Sequence, residues 1–161
     1  MIAKLIDIIS KEAALFESFL ELLERQKQML VANNVEGLTE VTALQQEKLS
    51  ESRALSRRRE QILNQIKLDH TLGSDVTISR LVALADESQA ARLMQLRRVI
   101  LSLNEKINDA RNTNAMLLNQ SRDFVAKTMA LLARMSNPES NYTGARQTSQ
   151  GTSTLMLDRR A

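Results

Sequence analysis

Residues 86–135 hold neither Gly nor Pro and carry apolar residues at helical intervals throughout. Every seventh residue from Leu96 gives Leu96, Leu103, Ala110, Leu117, Phe124 and Leu131. A companion series runs Leu93, Ile100, Ile107, Asn114, Ser121, Thr128 and Met135. The two interleave at steps of three and four, which is the seam of a coiled-coil-like helix. At about 1.5 Å per residue that helix spans roughly 75 Å. A helix of this length cannot bury its seam alone, so partner helices are required, in this chain or another.

The seam changes along its length. Both series are apolar from Leu93 to Ala110. Beyond it, Asn114, Ser121 and Thr128 make one series polar, while a second apolar line, Leu118, Val125 and Leu132, runs beside the other. Two readings of Asn114 follow. A buried Asn at a seam position fixes register; alternatively, the last third of the helix carries an apolar surface meant for another protein.

The preceding chain supplies candidate partners. Ile2, Ile9, Phe16, Leu23 and Leu30 stand at seven-residue spacing, widened by Leu5, Ile6, Ala13, Phe19 and Leu20, and predict an amphipathic helix over 2–32. Asn33-Asn34 ends it, because Asn tolerates the left-handed conformation that closes a helix, and Asn34 can cap the next. A second helix is expected over 35–68, with Leu38, Val41, Leu44, Leu49, Leu55, Ile62, Leu63 and Ile66 as its apolar positions. Ser50, Ser52 and Ser56 thin its middle, so packing there should be lighter. The short connection makes the pair an antiparallel hairpin. Residues 69–75 read as a loop. Asp75 or Thr77 can cap a short helix over 76–85, and a bend near Asp86 should separate it from the long helix over 86–135.

The expected fold class is therefore all-α: an antiparallel bundle with a coiled-coil-like hairpin, one very long C-terminal helix and a flexible tail. One helical domain is expected over 1–135. From Ser136 to Ala161 the chain is rich in Ser, Thr, Asn, Gln and Gly and cannot bury enough surface to offset ordering, so 136–161 is expected to be a flexible polar tail. Tyr142 and the Leu155-Met156-Leu157 cluster interrupt it. The cluster is either a docking segment or an inert ending.

Chemistry is sparse. There is no Cys, and the one His, His70, falls in the predicted loop without a partner. The four Gly are too scattered for a phosphate-binding loop. No catalytic, cofactor or metal site is expected, and the chain reads as a non-enzyme. Arg57-Arg58-Arg59 and Arg97-Arg98 are the basic runs. Consecutive helical residues point in different directions, and no aromatic residue accompanies them for base stacking. They read as a solvated helix face near Glu51 and Glu60 rather than a nucleic-acid site, and the net charge of +3 comes from interspersed signs. No apolar run reaches the length of a membrane span, and the absence of thiols fits the cytoplasm. Methionines at 94, 116, 129, 135 and 156 concentrate in the C-terminal half, where unbranched side chains adapt to irregular partners.

Several stretches together resemble the FlgN family of flagellar export chaperones. The first helix carries Glu17, Leu20 and Leu22-Leu23-Glu24-Arg25 before the Asn33-Asn34 break. The second opens with Val35-Glu36-Gly37-Leu38 and leads through Gln46-Glu47-Lys48 to Arg57-Arg58-Arg59. The long helix carries Asn112-Thr113-Asn114-Ala115-Met116-Leu117-Leu118, which is similar to the family's Asn-rich Asn-Leu-Leu element. The tail Tyr142-Thr143-Gly144-Ala145-Arg146-Gln147-Thr148 is similar to its Tyr-Gly-x-x-Gly-Gln-Thr ending, with Thr143 and Arg146 where Gly is expected.

The resemblance implies a cytoplasmic chaperone that binds the C-terminal helical segments of hook-associated proteins, prevents their premature association and delivers them to the flagellar type III export apparatus, its gate and its ATPase complex. It implies client contact in the C-terminal part of the chain: Asn114, Leu117, Leu118, Ser121, Phe124, Val125, Thr128, Leu131, Leu132 and Met135. It implies contact of Tyr142 with the export gate. No cofactor, nucleic acid or integral membrane segment is implied. The alternative is a structural coiled-coil protein that self-associates through the long helix.

Overall fold

A computed structural model of the chain describes residues 1–70 and 76–136. Four helices follow one another: α1 (Ile2–Val31), α2 (Val35–Asp69), α3 (Ile78–Leu84) and α4 (Glu87–Ser136). There is no strand among the described residues. The all-α expectation holds, and the helix ends lie within one or two residues of those read from the sequence. The expected flexible tail, with Tyr142 and Leu155-Met156-Leu157, and the Asp75 capping option lie outside the described residues.

Local chemistry explains each break. Asn33 takes a φ of 50°, the left-handed conformation that Asn accepts at low cost. Asn34 then caps α2, its Oδ1 accepting from the Gly37 N–H at 2.9 Å. At Gly37 a Cβ would run into Met29 Sδ and stand 2.9 Å from Asn34 Nδ2, so a larger residue would displace the flexible end of Met29 and crowd the capping amide. Thr77 accepts from the Arg80 N–H and caps α3. Between α3 and α4, Ala85 is extended, and Asp86 Oδ1 accepts from the Gln89 N–H at 2.8 Å. The expected bend near Asp86 is thus a full break with its own cap.

The chain divides into two compact units, Met1–Asn119 and Gln120–Ala161. In the first, α1 and α2 form the antiparallel hairpin, and their backbones approach along much of their length. Ile2, Leu5, Ile66, Leu81 and Leu93 make a buried cluster that joins the start of α1, the end of α2, α3 and the start of α4. Leu93 lies beside Ile2 and Leu5 and Asn114 meets Leu23 and Gln26, so within this unit the part of α4 up to Asn119 runs in the direction of α1. No residue of 46–65 is fully buried, which matches the thinning by Ser50, Ser52 and Ser56.

One expectation about charge is corrected. Arg59 is not simply part of a solvated face near Glu51 and Glu60. Its guanidinium reaches across the hairpin to Glu12, with Nη1 2.7 Å from Oε2. Glu12 is 2% exposed and also accepts from Ser56 Oγ at 3.5 Å. A buried charge persists only with a partner of this kind. The exposed Arg25–Glu40 bridge between the same helices contributes little by comparison.

Burial raises the Glu12 carboxyl above its ordinary 4.5, while Arg59 and Ser56 pull it down in part. The folded chain therefore holds this proton more tightly than the unfolded chain, and the Glu12 contribution to stability falls as pH rises from the unfolded value through the raised folded one. Glu12→Gln should flatten that fall, and Arg59→Met should steepen it. Urea midpoints compared between about pH 4 and about pH 8 measure the slope. An unchanged slope in both variants would show that Glu12 does not titrate differently in the two states.

Candidate protein-binding surface

The seam of α4 is buried only in part. Leu93, Leu96, Leu103, Ile107 and Asn114 are its buried residues. No residue after Asn114 is fully buried among those described. Burial therefore ends close to where the sequence pattern changes.

Within the first unit, Asn114 is 5% exposed. Its Nδ2 donates to the Leu23 carbonyl at 2.8 Å and to Gln26 Oε1 at 2.9 Å. The buried, register-setting reading of Asn114 describes this geometry. Leu117 is half-buried and Leu118 exposed. Within the second unit, Ser121 is half-buried, while Phe124, Val125, Thr128, Leu131, Leu132 and Met135 are exposed. Thr128 Oγ1 donates to the Phe124 carbonyl at 2.9 Å. Its hydroxyl proton is thereby occupied on its own helix. Phe124 at 72% and Met135 at 76% are among the most exposed large apolar side chains. Contiguous exposed apolar residues of this kind mark interaction sites more often than free surface. Tyr142, the remaining expected contact residue, lies outside the described residues.

The sequence reading missed two residues of the first unit. Gln26 Nε2 donates to Gln45 Oε1 at 3.3 Å, which extends the Asn114 contact across to α2. Gln45 is buried. The signal was available: Gln45 stands one turn after Val41 on the buried face of α2, a polar residue where an apolar one is expected. These residues line a cleft of about 480 Å³ between α1, α2 and α4, with Phe19, Leu23, Leu30, Leu38 and Leu118 as apolar walls. A second cleft of about 330 Å³ shares Phe19 and Arg111 with it and adds Leu15, Phe16, Leu49 and Ile107.

No helix is long and apolar enough to cross a membrane among the described residues, and no group of acidic or His side chains there could hold a metal ion. No curated protein and no solved structure matches the chain. The family model described as FlgN protein matches residues 1–150. That span takes in every described residue, including the α1–α2 hairpin, the Asn114 contact and the exposed apolar end of α4. The chain belongs to the FlgN family of flagellar export chaperones.

Proposed function

We propose that this chain is a cytoplasmic chaperone for hook-associated proteins, holding their C-terminal helical segments and passing them to the flagellar type III export apparatus. The observation that carries the reading is the exposed apolar run on α4, from Phe124 to Met135. A client segment that folds as an amphipathic helix can lay its apolar face along Phe124, Val125, Leu131, Leu132 and Met135, with Leu117 and Leu118 as further contacts. Complete burial of each large apolar side chain contributes about 1.5–3 kcal/mol. Ordering the client offsets part of that gain, which suits a cargo that must be released. Tyr142 is the residue proposed to meet the export gate.

Co-purification with each hook-associated protein, with and without its C-terminal segment, tests the reading. A complex lost on truncation is the expected result. A stable self-associated oligomer, with no complex formed by any of these proteins, would instead favour a structural coiled coil that pairs through the same apolar run.

A further inference from the structure

The positive balance of the chain is not spread evenly. Basic and acidic side chains are equal in number over residues 1–119, whereas residues 120–136 carry three basic side chains, Arg122, Lys127 and Arg134, and one acidic, Asp123. The same stretch carries the exposed apolar run of α4. Successive helical residues turn by about 100°, which sets these charges against the stripe formed by Phe124, Val125, Leu131, Leu132 and Met135. Lys127 and Arg134 border the stripe on one side, and Arg122 borders it on the other. Asp123 lies further round, behind Lys127. All four charged residues are exposed, and none of them forms an ion pair among the described residues. Within the first unit, by contrast, Lys11, Arg25, Lys48 and Arg59 each meet a carboxylate of the chain. Arg134 lies in the last turn of α4, where a cation also meets the helix dipole. Arg122 and Lys127 lie beyond the reach of that effect.

We propose that the occupant of this surface is an amphipathic helix whose apolar stripe is edged by Asp and Glu, two of them seven residues apart on the border that meets Lys127 and Arg134. The inference rests on the chaperone reading for the source of that helix, and goes beyond it in stating the helix's charge. An apolar helix face with one sign of charge along both borders is complementary to a helix whose borders carry the other sign. The long stems of Lys127 and the two arginines lie along the edges of the stripe while their charged ends stay in water, where a partner's carboxylates meet them. A segment edged by Lys or Arg is turned away, because like charges brought together cost affinity. A lipid surface suits a helix whose whole polar face is cationic. Here the side opposite the stripe carries Ala126, Ala130 and Ala133, which favours a second helix.

The test uses the full chain and three synthetic amphipathic peptides of about 20 residues, long enough to form a helix, with one apolar stripe edged by Glu, Gln or Lys. By fluorescence anisotropy the Glu peptide should bind about tenfold tighter than the Gln peptide, about twofold for each of three exposed ion pairs. The Lys peptide should bind most weakly. The preference should shrink between about 0.1 M and about 1 M salt, as the screening length falls from about 10 Å to about 3 Å. The double variant Lys127→Glu/Arg134→Glu should reverse the order and make the Lys peptide the tightest. If circular dichroism shows that this variant loses helix, Lys127→Gln/Arg134→Gln decides, and should reduce the Glu preference to about twofold. Equal binding of the Glu and Gln peptides, an order that survives both double variants, or no binding by any peptide would overturn the proposal. Binding to vesicles of equal parts phosphatidylcholine and phosphatidylglycerol that is tighter than to any peptide, and lost in the double variant, would overturn it in favour of a lipid surface. These outcomes are separate from the chaperone reading: a hook-associated protein that co-purifies equally with the parent and the charge-reversed variant would refute the acidic edge alone. A Glu preference without any hook-associated complex would refute the chaperone reading alone.

Discussion

Leu93→Ala should lower stability by about 2–5 kcal/mol, the cost of removing a buried leucine and leaving a cavity. Leu93 is 1% exposed and sits with Ile2, Leu5, Ile66 and Leu81 where the four helices of the first unit converge. The total margin of a domain is about 5–15 kcal/mol, so this one change consumes a large fraction of it. Leu101, on the same helix but exposed, is the control: Leu101→Ala should stay within about 0.5 kcal/mol of the parent. Urea unfolding followed by circular dichroism gives both numbers. A loss below about 1 kcal/mol for Leu93→Ala would show that the cluster does not hold α4.

Phe124→Glu and Leu131→Glu should have the opposite profile. Both residues are exposed, and Glu is a better helix former than Phe and about equal to Leu, so helical content and thermal midpoint should change little. Client binding should be abolished. Each change removes apolar contact and places a charge where a partner would bury it, a penalty of several kcal/mol. Co-purification with a hook-associated protein and far-UV circular dichroism on the same samples separate the possibilities. Loss of helicity together with binding would assign these residues to the core of the chain.

The fold was legible where a local rule decides it. The seam series predicts α4, Asn33-Asn34 predicts the turn, and Asp75 or Thr77 is offered as the cap of α3, of which Thr77 is the one observed, because each acts through its own helix or the next few residues. The fading of the seam past Ala110 was also legible, since the polar substitutions at Asn114, Ser121 and Thr128 are regular. What could not be read were the contacts between helices. Gln45 could be flagged as a polar residue on the apolar face of α2, but Gln26 looks like an ordinary surface amide until α4 brings Asn114 against it. Glu12 resembles any acidic residue of an amphipathic helix, and its partner lies 47 positions away. Composition says that such charges must be paired when buried, but not which are buried.

Arg57, Arg58 and Arg59 are three chemically identical neighbours, yet only Arg59 can be chosen without cost. Successive helical residues are turned by about 100° from one another, so matching Glu12 with Arg57 or Arg58 would rotate α2 and move Val41 and Ile66 off its inner face. Sliding α2 by a whole turn, about 5.4 Å, would leave the Glu12 carboxylate buried with no cation, at several kcal/mol. A hairpin of two long, lightly packed helices has many nearly equivalent ways to close. The Glu12–Arg59 pair distinguishes among them: the native alignment gives the buried carboxylate its cation, and an alignment one turn away does not.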